Sequence, residues 1–168
     1  MRHRAFAFIA ALAIAMTLGS AAVAEGPWPD KARPLVRFID EAWNRGDYAA
    51  MPDLFTADAA LSYHGHTFPE TAAQVTDTVK RWRTGFPDFH FTIEDMLVDG
   101  DKVAVRLTFT GTNLGPFWGP ATGRHISVAQ MLICHLKDGR IGACWEDYDE
   151  YGMRQQLGLI PRPTGPAS

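Results

Sequence analysis

The spacing of apolar residues predicts three helices in the first half of the chain. The first helix presents five apolar residues on one face, at offsets of 0, 3, 4, 7 and 8: Leu35, Phe38, Ile39, Ala42 and Trp43. Gly46 is suited to end it, because glycine readily adopts the left-handed conformation of a helix C-cap. Asp47 is suited to cap a second, short helix that runs to about residue 55. A third helix is predicted to open at Pro69 and Glu70, and its apolar stripe is Ala72, Val75, Val79 and Trp82.

Alternation of apolar and polar residues predicts strands in most of the remaining sequence. An early strand covers residues 59–64, and a meander of four longer strands follows: residues 89–98, 103–110, 125–136 and 141–148. A short helix that Gly158 ends closes the pattern. Helices segregated from a run of antiparallel strands are typical of the α+β class. We therefore expect one α+β domain with its helices on one side of an antiparallel sheet.

The first 24 residues have the pattern of a secretory signal peptide. A short positive segment that contains Arg2 and Arg4 precedes an almost wholly apolar run over residues 5–18. Small residues follow and end in the A-x-A cleavage pattern of residues 22–24. A membrane anchor would need about 20 apolar residues, so cleavage is the favoured interpretation. The predicted organisation is a signal peptide at 1–24 and a domain at 25–168, periplasmic or secreted, with no stable membrane anchor after cleavage.

Two cysteines, Cys134 and Cys144, flank the predicted turn around Asp138 and Gly139. Export would permit a disulfide between them. A three-residue loop would place the cysteines directly opposite each other. A two-residue loop would place them on opposite faces of the hairpin, because side chains alternate along a strand. The sequence therefore leaves open whether they form a bridge or are two small buried residues.

Composition and charge narrow the classes of function. The net charge of the chain is −3, and it becomes −5 in the domain once the two leader arginines are removed. No run of Lys or Arg marks a nucleic-acid surface, so we expect no nucleic-acid partner. The sequence has no G-x-S-x-G elbow, P-loop or dinucleotide fingerprint, and neither cysteine lies in a redox or protease motif. These features favour chemistry without a cofactor, or binding without chemistry.

Five ordered segments carry a resemblance to a known family: residues 86–95 (FPDFHFTIED), 99–106 (DGDKVAVR), 119–124 (GPATGR), 137–141 (KDGRI), and Trp145 and Asp149 with residues 156–158 (QLG). With these segments the chain, over about residues 36–161, resembles the SnoaL-like proteins, a group of polyketide cyclases and ester cyclases in the NTF2-like superfamily. The resemblance implies a cone, in which a strongly curved antiparallel sheet and three N-terminal helices enclose a pocket. It implies less about the reaction, because one fold hosts many chemistries.

The resemblance implies that Asp149, which follows Trp145 at the end of the last strand, is a general acid and base. In the cyclases that it resembles, such an aspartate moves a proton next to a carbonyl so that a ring closes by aldol-type attack. A carboxylate in an apolar pocket has a raised pKa and exchanges protons near neutral pH. The alternative is that Asp149 caps the terminal helix, a common role of aspartate, and the two roles are compatible.

His64 and His135 are the predicted hydrogen-bond donors to a substrate oxygen. SnoaL-like proteins often place a polar pair such as Tyr63 and His64 at the end of the first strand, and polar pocket residues on the penultimate strand, where His135 lies. A solvated or structurally satisfied histidine is the alternative for both. His64 and His66 also form an H-x-H pair, but no further ligands lie at a recognisable spacing, and we expect no metal site.

The candidate substrate-binding residues are Tyr63, Phe117, Trp118, Trp145 and Asp147. Trp145 and Asp147 share the parity of Asp149, so all three face the pocket if no bulge interrupts the strand. Core packing is the alternative for Trp145, and a solvated rim is the alternative for Asp147. Phe117 and Trp118 lie in a Gly/Pro-rich loop suited to a pocket mouth. Gln130 and Arg106 are weaker candidates.

Two hypotheses of function follow. The first is an exported enzyme, a cyclase, isomerase or lyase, that performs cofactor-independent acid–base chemistry on a small hydrophobic carbonyl compound. The second is a non-catalytic periplasmic or secreted protein of the same fold that binds a small molecule. Export weakens a biosynthetic role, since polyketide cyclases act in the cytoplasm where acyl chains are assembled. The fold also leads us to expect a homodimer that pairs through the outer face of the sheet.

Overall fold

The computed structural model of the chain describes residues 28–161 except residues 65 and 70, and it describes residues 67–69 by their backbone alone. The predicted signal peptide lies outside the described residues. Within the part of the chain that is described, no helix is both long enough and apolar enough to cross a membrane.

The described residues contain four α-helices: α1 (Arg33–Arg37), α2 (Met51–Leu54), α3 (Ala72–Gly85) and α4 (Glu150–Leu157). A 3-10 turn (Asp30–Ala32) leads into α1, and a π-helical turn (Phe38–Asn44) continues it. These three pieces together form the first helix that the sequence predicted. Gly46 follows with a φ of 69°, the left-handed conformation expected after a helix end.

Two helix starts differ from the sequence prediction. Helix α2 begins at Met51 without a side-chain cap, whereas Asp47 accepts a hydrogen bond from the backbone N–H two residues further on, at 3.1 Å. Helix α3 begins at Ala72, because Thr71 is its N-cap and forms a capping box with Gln74. A side chain that satisfies the N–H groups of the first turn fixes where a helix starts, and apolar periodicity does not contain that information.

Six strands form one curved, unclosed sheet in the described residues: β1 (Phe55–Tyr63), β2 (His66–Pro69), β3 (His90–Asp99), β4 (Lys102–Thr112), β5 (His125–Lys137) and β6 (Arg140–Tyr148). Their order across the sheet is β2-β1-β6-β5-β4-β3. The α+β class and the meander of four long strands are therefore confirmed.

Strand pairing has two features that the sequence did not predict. Strand β2 lies immediately before α3, where the start of a helix was expected, and pairs antiparallel with β1. Strand β1 pairs in parallel with β6, so the sheet is not antiparallel throughout. Two-residue connections force antiparallel pairing of β3 with β4 and of β5 with β6. In contrast, β1 and β6 are far apart in sequence, and no turn sets their relative direction.

The helices cover one face of the sheet, which we call the inner face. Along β4, every second residue is buried: Val103, Val105, Leu107 and Phe109. Leu35 and Ile39 of the first helical segment, with Val75 and Val79 of α3, belong to the same buried cluster. Each such side chain contributes about 1.5–3 kcal/mol when it leaves water. The residues that alternate with them form the outer face.

The hairpin of β5 and β6 carries a β-bulge at Gly142. Between neighbouring pairs, the register advances by one residue on β5, from Leu136 to His135, and by two residues on β6, from Ile141 to Ala143. Gly142 is therefore the extra residue, opposite no partner of its own.

The bulge reverses the alternation of side chains along β6 and aligns the two cysteines. Ile141 is buried before the bulge, and Cys144 is buried after it, so the inward positions change from odd to even numbers. Cys144 thereby pairs directly with Cys134, and the two form a disulfide. The sequence left the bridge open between a two-residue and a three-residue loop. The structure instead combines a two-residue loop with a bulge.

We expect the disulfide to stabilise the domain by about 2–3 kcal/mol, because closing a short loop restricts the unfolded chain. The cysteines are 10 residues apart in sequence. The double variant Cys134→Ala and Cys144→Ala should unfold at a correspondingly lower urea concentration, measured by circular dichroism. Reductant should produce the same shift in the unaltered protein and none in the double variant. Equal midpoints for the two proteins without reductant would contradict a stabilising bridge.

Candidate functional site

A cavity of about 820 Å³ lies between the helices and the inner face of the sheet. Side chains from the first helical segment, α3, the sheet, the loop between β4 and β5, and the start of α4 line it. Most of the lining is apolar or aromatic, and a few polar groups project among these side chains. A concave, mainly apolar site of this size with a few placed polar groups is typical of small-molecule binding.

Aromatic rings form a continuous apolar wall. Trp82 of α3 contacts Phe109 of β4 and Phe117 of the loop, with ring centroids 5.6 Å and 4.5 Å away. Trp43 contacts Phe89 at 5.0 Å. Rings that are packed at fixed angles against one another lose little further freedom when a ligand binds, so this wall suits a flat or cyclic molecule.

A buried asparagine fixes the loop between β4 and β5 beside the cavity. The Asn113 amide donates to two backbone carbonyl oxygens at 3.2 Å and 2.8 Å, and its side-chain oxygen accepts from the Thr122 N–H at 2.8 Å. Gly115 permits the close approach of the loop to α3, because a Cβ there would overlap a carbonyl oxygen of that helix. The loop in this way holds Phe117 and Trp118 in the cavity lining.

The sheet wall carries a carboxylate and a phenol on one strand. Glu146 of β6 accepts a hydrogen bond from Nε2 of the buried Gln130 of β5 at 2.9 Å. Tyr148 is the next inward residue of β6, and its pKa is raised chiefly by burial, then by the charges of Glu150 and Glu146. The hydroxyl of Tyr148 therefore stays protonated and available as a hydrogen-bond donor. This wall offers an acceptor of protons and a donor of hydrogen bonds side by side.

The rim carries a second carboxylate, Glu150 at the start of α4, which two basic side chains hold. Nε and Nη2 of Arg154 both lie 2.6 Å from its Oε1. Nε2 of His64 lies 3.1 Å from its Oε2, while Nδ1 of His64 lies 3.4 Å from Asp147 Oδ1. The Arg154 guanidinium also lies 4.3 Å from the Trp118 ring. Glu150 is thus paired with Arg154, and Arg154 in turn contacts Trp118 of the loop between β4 and β5.

Helix α3 directs two hydrogen-bonding side chains at the cavity, Thr78 and Arg81. On the same helix, the hydroxyls of Thr76 and Thr84 donate to carbonyl oxygens four residues earlier, at 2.7 Å and 2.9 Å. Among the described residues, neither Thr78 nor Arg81 has a hydrogen-bond or ion-pair partner. The helix wall therefore presents a cation and a hydroxyl that no other described residue engages.

Four residues that the sequence placed in the pocket do line the cavity: Tyr63, Phe117, Trp118 and Gln130. His64 is not part of the lining, but it contacts the lining residue Glu150. The expectation that His64 donates a hydrogen bond to a substrate stays a prediction.

Four other predicted site residues lie on the outer face. Trp145 is 44% exposed, and the side chain of Asp147 is 78% exposed. The ring of His135 packs against Trp145 at 4.8 Å, and Arg106 is exposed on the same face. The expectation that Trp145 and Asp147 face the pocket is wrong, because the bulge at Gly142 gives the inward positions to even-numbered residues. The predicted pocket position of His135 is wrong as well, because its neighbour on β5 is the buried Cys134.

Asp149 caps helix α4 and does not line the cavity. Its Oδ1 accepts a hydrogen bond from the Gly152 N–H at 2.8 Å. The fit is close, since a Cβ on Gly152 would overlap the carboxylate. The predicted cap is confirmed, whereas a catalytic role for Asp149 stays a prediction that its position outside the lining does not favour.

Sequence reasoning missed most of the polar groups of the cavity: Thr78, Arg81, Glu146, Tyr148 and Glu150. Regular alternation along β6 without a bulge predicts that the side chains of Glu146 and Tyr148 lie on the outer face. The cysteines were a usable signal, because a bridge between Cys134 and Cys144 requires direct pairing and hence inward positions for Glu146 and Tyr148. No pattern in the sequence distinguished Arg81 from other surface arginines.

Solved structures of similar proteins share this fold. IdmH of Streptomyces antibioticus, a proposed polyketide cyclase, is 27% identical, with a TM-score of 0.68 over 77% of this chain and 99% of its own. A proposed polyketide cyclase of Bacillus cereus is 31% identical, with a TM-score of 0.63 over 77% of this chain and 81% of its own. A protein with a ketosteroid isomerase-like fold from Catenulispora acidiphila is 20% identical, with a TM-score of 0.64 over 79% and 97% of the two chains. No curated protein sequence matches the chain significantly.

The family model described as SnoaL-like polyketide cyclase matches residues 33–157, which run from α1 to the end of α4. The structural neighbours and this match confirm the predicted NTF2-like architecture and the resemblance found in the sequence. Family membership also supports a function of the cyclase or isomerase type. On these grounds the chain belongs to the SnoaL-like polyketide cyclase family.

Proposed function

We propose that this protein is an exported cyclase, isomerase or lyase that performs acid–base chemistry, without a bound cofactor, on a small hydrophobic carbonyl compound in the cavity. The observation that carries this proposal is the position of Glu146. Its carboxylate lies on the wall of an aromatic cavity, accepts a hydrogen bond from Gln130 at 2.9 Å, and is followed on the same face by Tyr148.

Glu146 suits the role of general base because its orientation is fixed. The hydrogen bond from Gln130 holds Oε2, and Gln130 is itself only 7% exposed, so the pair moves little relative to the sheet. A base that is already oriented towards its substrate loses less entropy on reaching the transition state. The disulfide two register pairs away from Glu146 reinforces the same two strands.

Tyr148 suits the role of oxyanion donor because its hydroxyl stays protonated. When Glu146 takes a proton from the carbon next to a carbonyl, the electron pair of that bond moves to the carbonyl oxygen. A donor already aimed at the developing charge stabilises the resulting enolate. In a cyclase, the enolate carbon then attacks a second carbonyl of the same molecule, and Glu146 returns the proton to the new alkoxide oxygen. These steps balance without an oxidant or reductant.

This assignment moves the base from Asp149, the sequence-based choice, to Glu146. Asp149 is engaged as the cap of α4, outside the lining of the cavity. His64 contacts Glu150 and supports the rim, whereas His135 lies on the outer face. The residues that line the cavity therefore support proton transfer at the sheet wall.

The alternative function is binding without turnover. The aromatic wall alone suffices to hold a flat ligand, and family members share the fold irrespective of chemistry. The two functions differ in one respect, which is whether Glu146 exchanges a proton with the bound molecule.

Export is supported by two independent features. The leader has the layout of a signal peptide, and the described domain contains a buried disulfide between Cys134 and Cys144. Structural disulfides are typical of oxidising compartments such as the periplasm. Both features favour a site of action outside the cytoplasm.

A homodimer is supported by an apolar row across the outer face. Four residues pair in succession from β3 to β6: Leu97, Ala104, Ile133 and Trp145. Leu97 is 72% exposed, and Ile133 and Trp145 are 45% and 44% exposed. A contiguous exposed apolar row marks an interaction surface, and a two-fold contact would bury the row of both copies at once.

Glu146→Gln should abolish proton exchange. With 1-indanone in D₂O as the probe ketone, the unaltered protein should accelerate deuterium incorporation next to the carbonyl, followed by NMR. The variant should lose about 100-fold or more of that acceleration, because it lacks the accepting oxygen. Glu94→Gln, an exposed residue of β3 outside the cavity, is the matched control and should retain the full rate.

Asp149→Asn separates the two candidate bases in the same experiment. It should keep the exchange rate and lose about 1 kcal/mol of stability, since only the helix cap weakens. Loss of exchange in Asp149→Asn with full exchange in Glu146→Gln would return the base to Asp149. Binding of 1-indanone without any acceleration would favour the binding protein.

The exported chain should begin at Glu25 and contain no free thiol. Expressed with its own leader in a bacterial host, it should be recovered from the periplasm, and intact mass should report both properties. Ala24→Phe should block cleavage at this position, because the peptidase accepts small residues there, whereas Gly26→Ala should be cleaved normally. Recovery of a cytoplasmic chain that still begins at Met1 would contradict export.

Ile133→Lys should convert the dimer to a monomer, because the charge would be buried in the apolar row. Sedimentation equilibrium measures the mass of both proteins. Leu114→Lys, an exposed leucine of the β4–β5 loop, is the matched control and should remain dimeric. A monomeric unaltered protein, or a dimeric Ile133→Lys variant, would show that the outer face does not pair.

A further inference from the structure

The charged groups of the cavity are unequally distributed over its walls. In the described lining, the carboxylates of Glu146 and Glu150 come from β6 and from the start of α4. Arg81 of α3 is the single cationic side chain of that lining. A ligand in the cavity would therefore meet negative charge on the sheet side and positive charge on the helix side.

Arg81 is available to a ligand, unlike the other arginines around the cavity. Nη1 of Arg83 donates to the carbonyl oxygens of Trp43 and Asn44 at 2.6 Å and 3.2 Å, and Arg154 is committed to Glu150. Arg81 has no hydrogen-bond or ion-pair partner among the described residues. A guanidinium offers five N–H donors in a planar fork that matches a carboxylate.

Thr78 adds a hydroxyl at the same place. It precedes Arg81 by three residues, so the two side chains share a face of α3, and both line the cavity. Its hydroxyl does not bond back to the helix, as those of Thr76 and Thr84 do. The helix wall thus presents a cation and a neutral donor together.

The carboxylates of the sheet wall would orient an anionic ligand. Glu146 would repel a ligand carboxylate, while Arg81 would attract it, so the anionic end would lie at α3 and the remaining part at β6. Glu150 contributes less repulsion, because Arg154 balances its charge. The carbonyl next to Glu146 would then belong to the end of the molecule remote from its carboxylate.

We infer that Thr78 and Arg81 form an anion subsite, and that the ligand of this cavity is an amphipathic carboxylic acid with a flat hydrophobic body. The inference rests on the proposed function only in taking the cavity as the ligand site. It adds the substrate class, a keto acid rather than a neutral ketone, and a residue that selects it.

A matched pair of probes tests the subsite: 2-naphthoate and its neutral counterpart, methyl 2-naphthoate. Calorimetric titration at neutral pH should show that the purified domain binds the acid about tenfold more tightly, as expected for one charge-assisted contact. Arg81→Gln should weaken binding of the acid by that factor and leave the ester unchanged. Arg81→Lys should retain part of the preference, and Thr78→Val should reduce it less than Arg81→Gln does.

Arg140→Gln is the control, since Arg140 is an exposed arginine outside the cavity lining. It should bind both probes as the unaltered protein does. Glu146→Gln should keep or strengthen the preference for the acid, because it removes a charge that repels the ligand carboxylate and leaves Arg81 in place. The binding result can therefore be interpreted even if the proposed catalysis fails. Equal affinities for the two probes, an undiminished preference in Arg81→Gln, or no binding of either probe would overturn the subsite.

Discussion

The pairing register of β5 and β6 is the constraint on which the cavity depends. One extra residue at Gly142 shifts β6 by one position, and every side chain beyond it changes face. The same shift brings Cys144 opposite Cys134 and places Glu146 and Tyr148 on the inner face. The disulfide then locks the register, because a slip by one residue would separate the two sulfur atoms. A covalent bond and a backbone irregularity together decide which residues a ligand meets.

The two carboxylates of the described cavity lining have different surroundings. Glu146 is held by a neutral amide and lies next to a phenol, in a wall of aromatic rings. Glu150 is held by Arg154, with His64 on its other oxygen, and these bonds connect α4 to the rim. Two basic side chains thus engage Glu150, whereas Glu146 lies on the sheet wall beside the Tyr148 hydroxyl. This contrast supports chemistry at the sheet wall and structure at the rim.

Much of the fold was readable from the sequence because it rests on local patterns. The alternation along β3 to β6 and the apolar stripe of α3 each reflect one buried face, and glycines such as Gly46 and Gly158 mark helix ends. Strand β2 and the parallel pairing of β1 with β6 were not readable, because pairing between distant strands leaves no local pattern. The site was readable where it lies in a recognisable loop, as for Phe117 and Trp118. The site prediction was wrong on β6, because it assumed unbroken alternation of side chains and the sequence did not reveal the bulge at Gly142.

The sequence by itself determined the α+β class, the order of the elements apart from β2, the family and the cap at Asp149. Each of these depends on residues close together in the chain, whose periodicity or hydrogen bonding is fixed by short-range geometry. Only the tertiary structure decided which carboxylates line the cavity and that the cysteines meet. It also decided that Arg81 and Thr78 face the cavity without a partner among the described residues. Those outcomes depend on strand register and helix packing, in which a shift of one residue costs little locally but exchanges the inner face for the outer one.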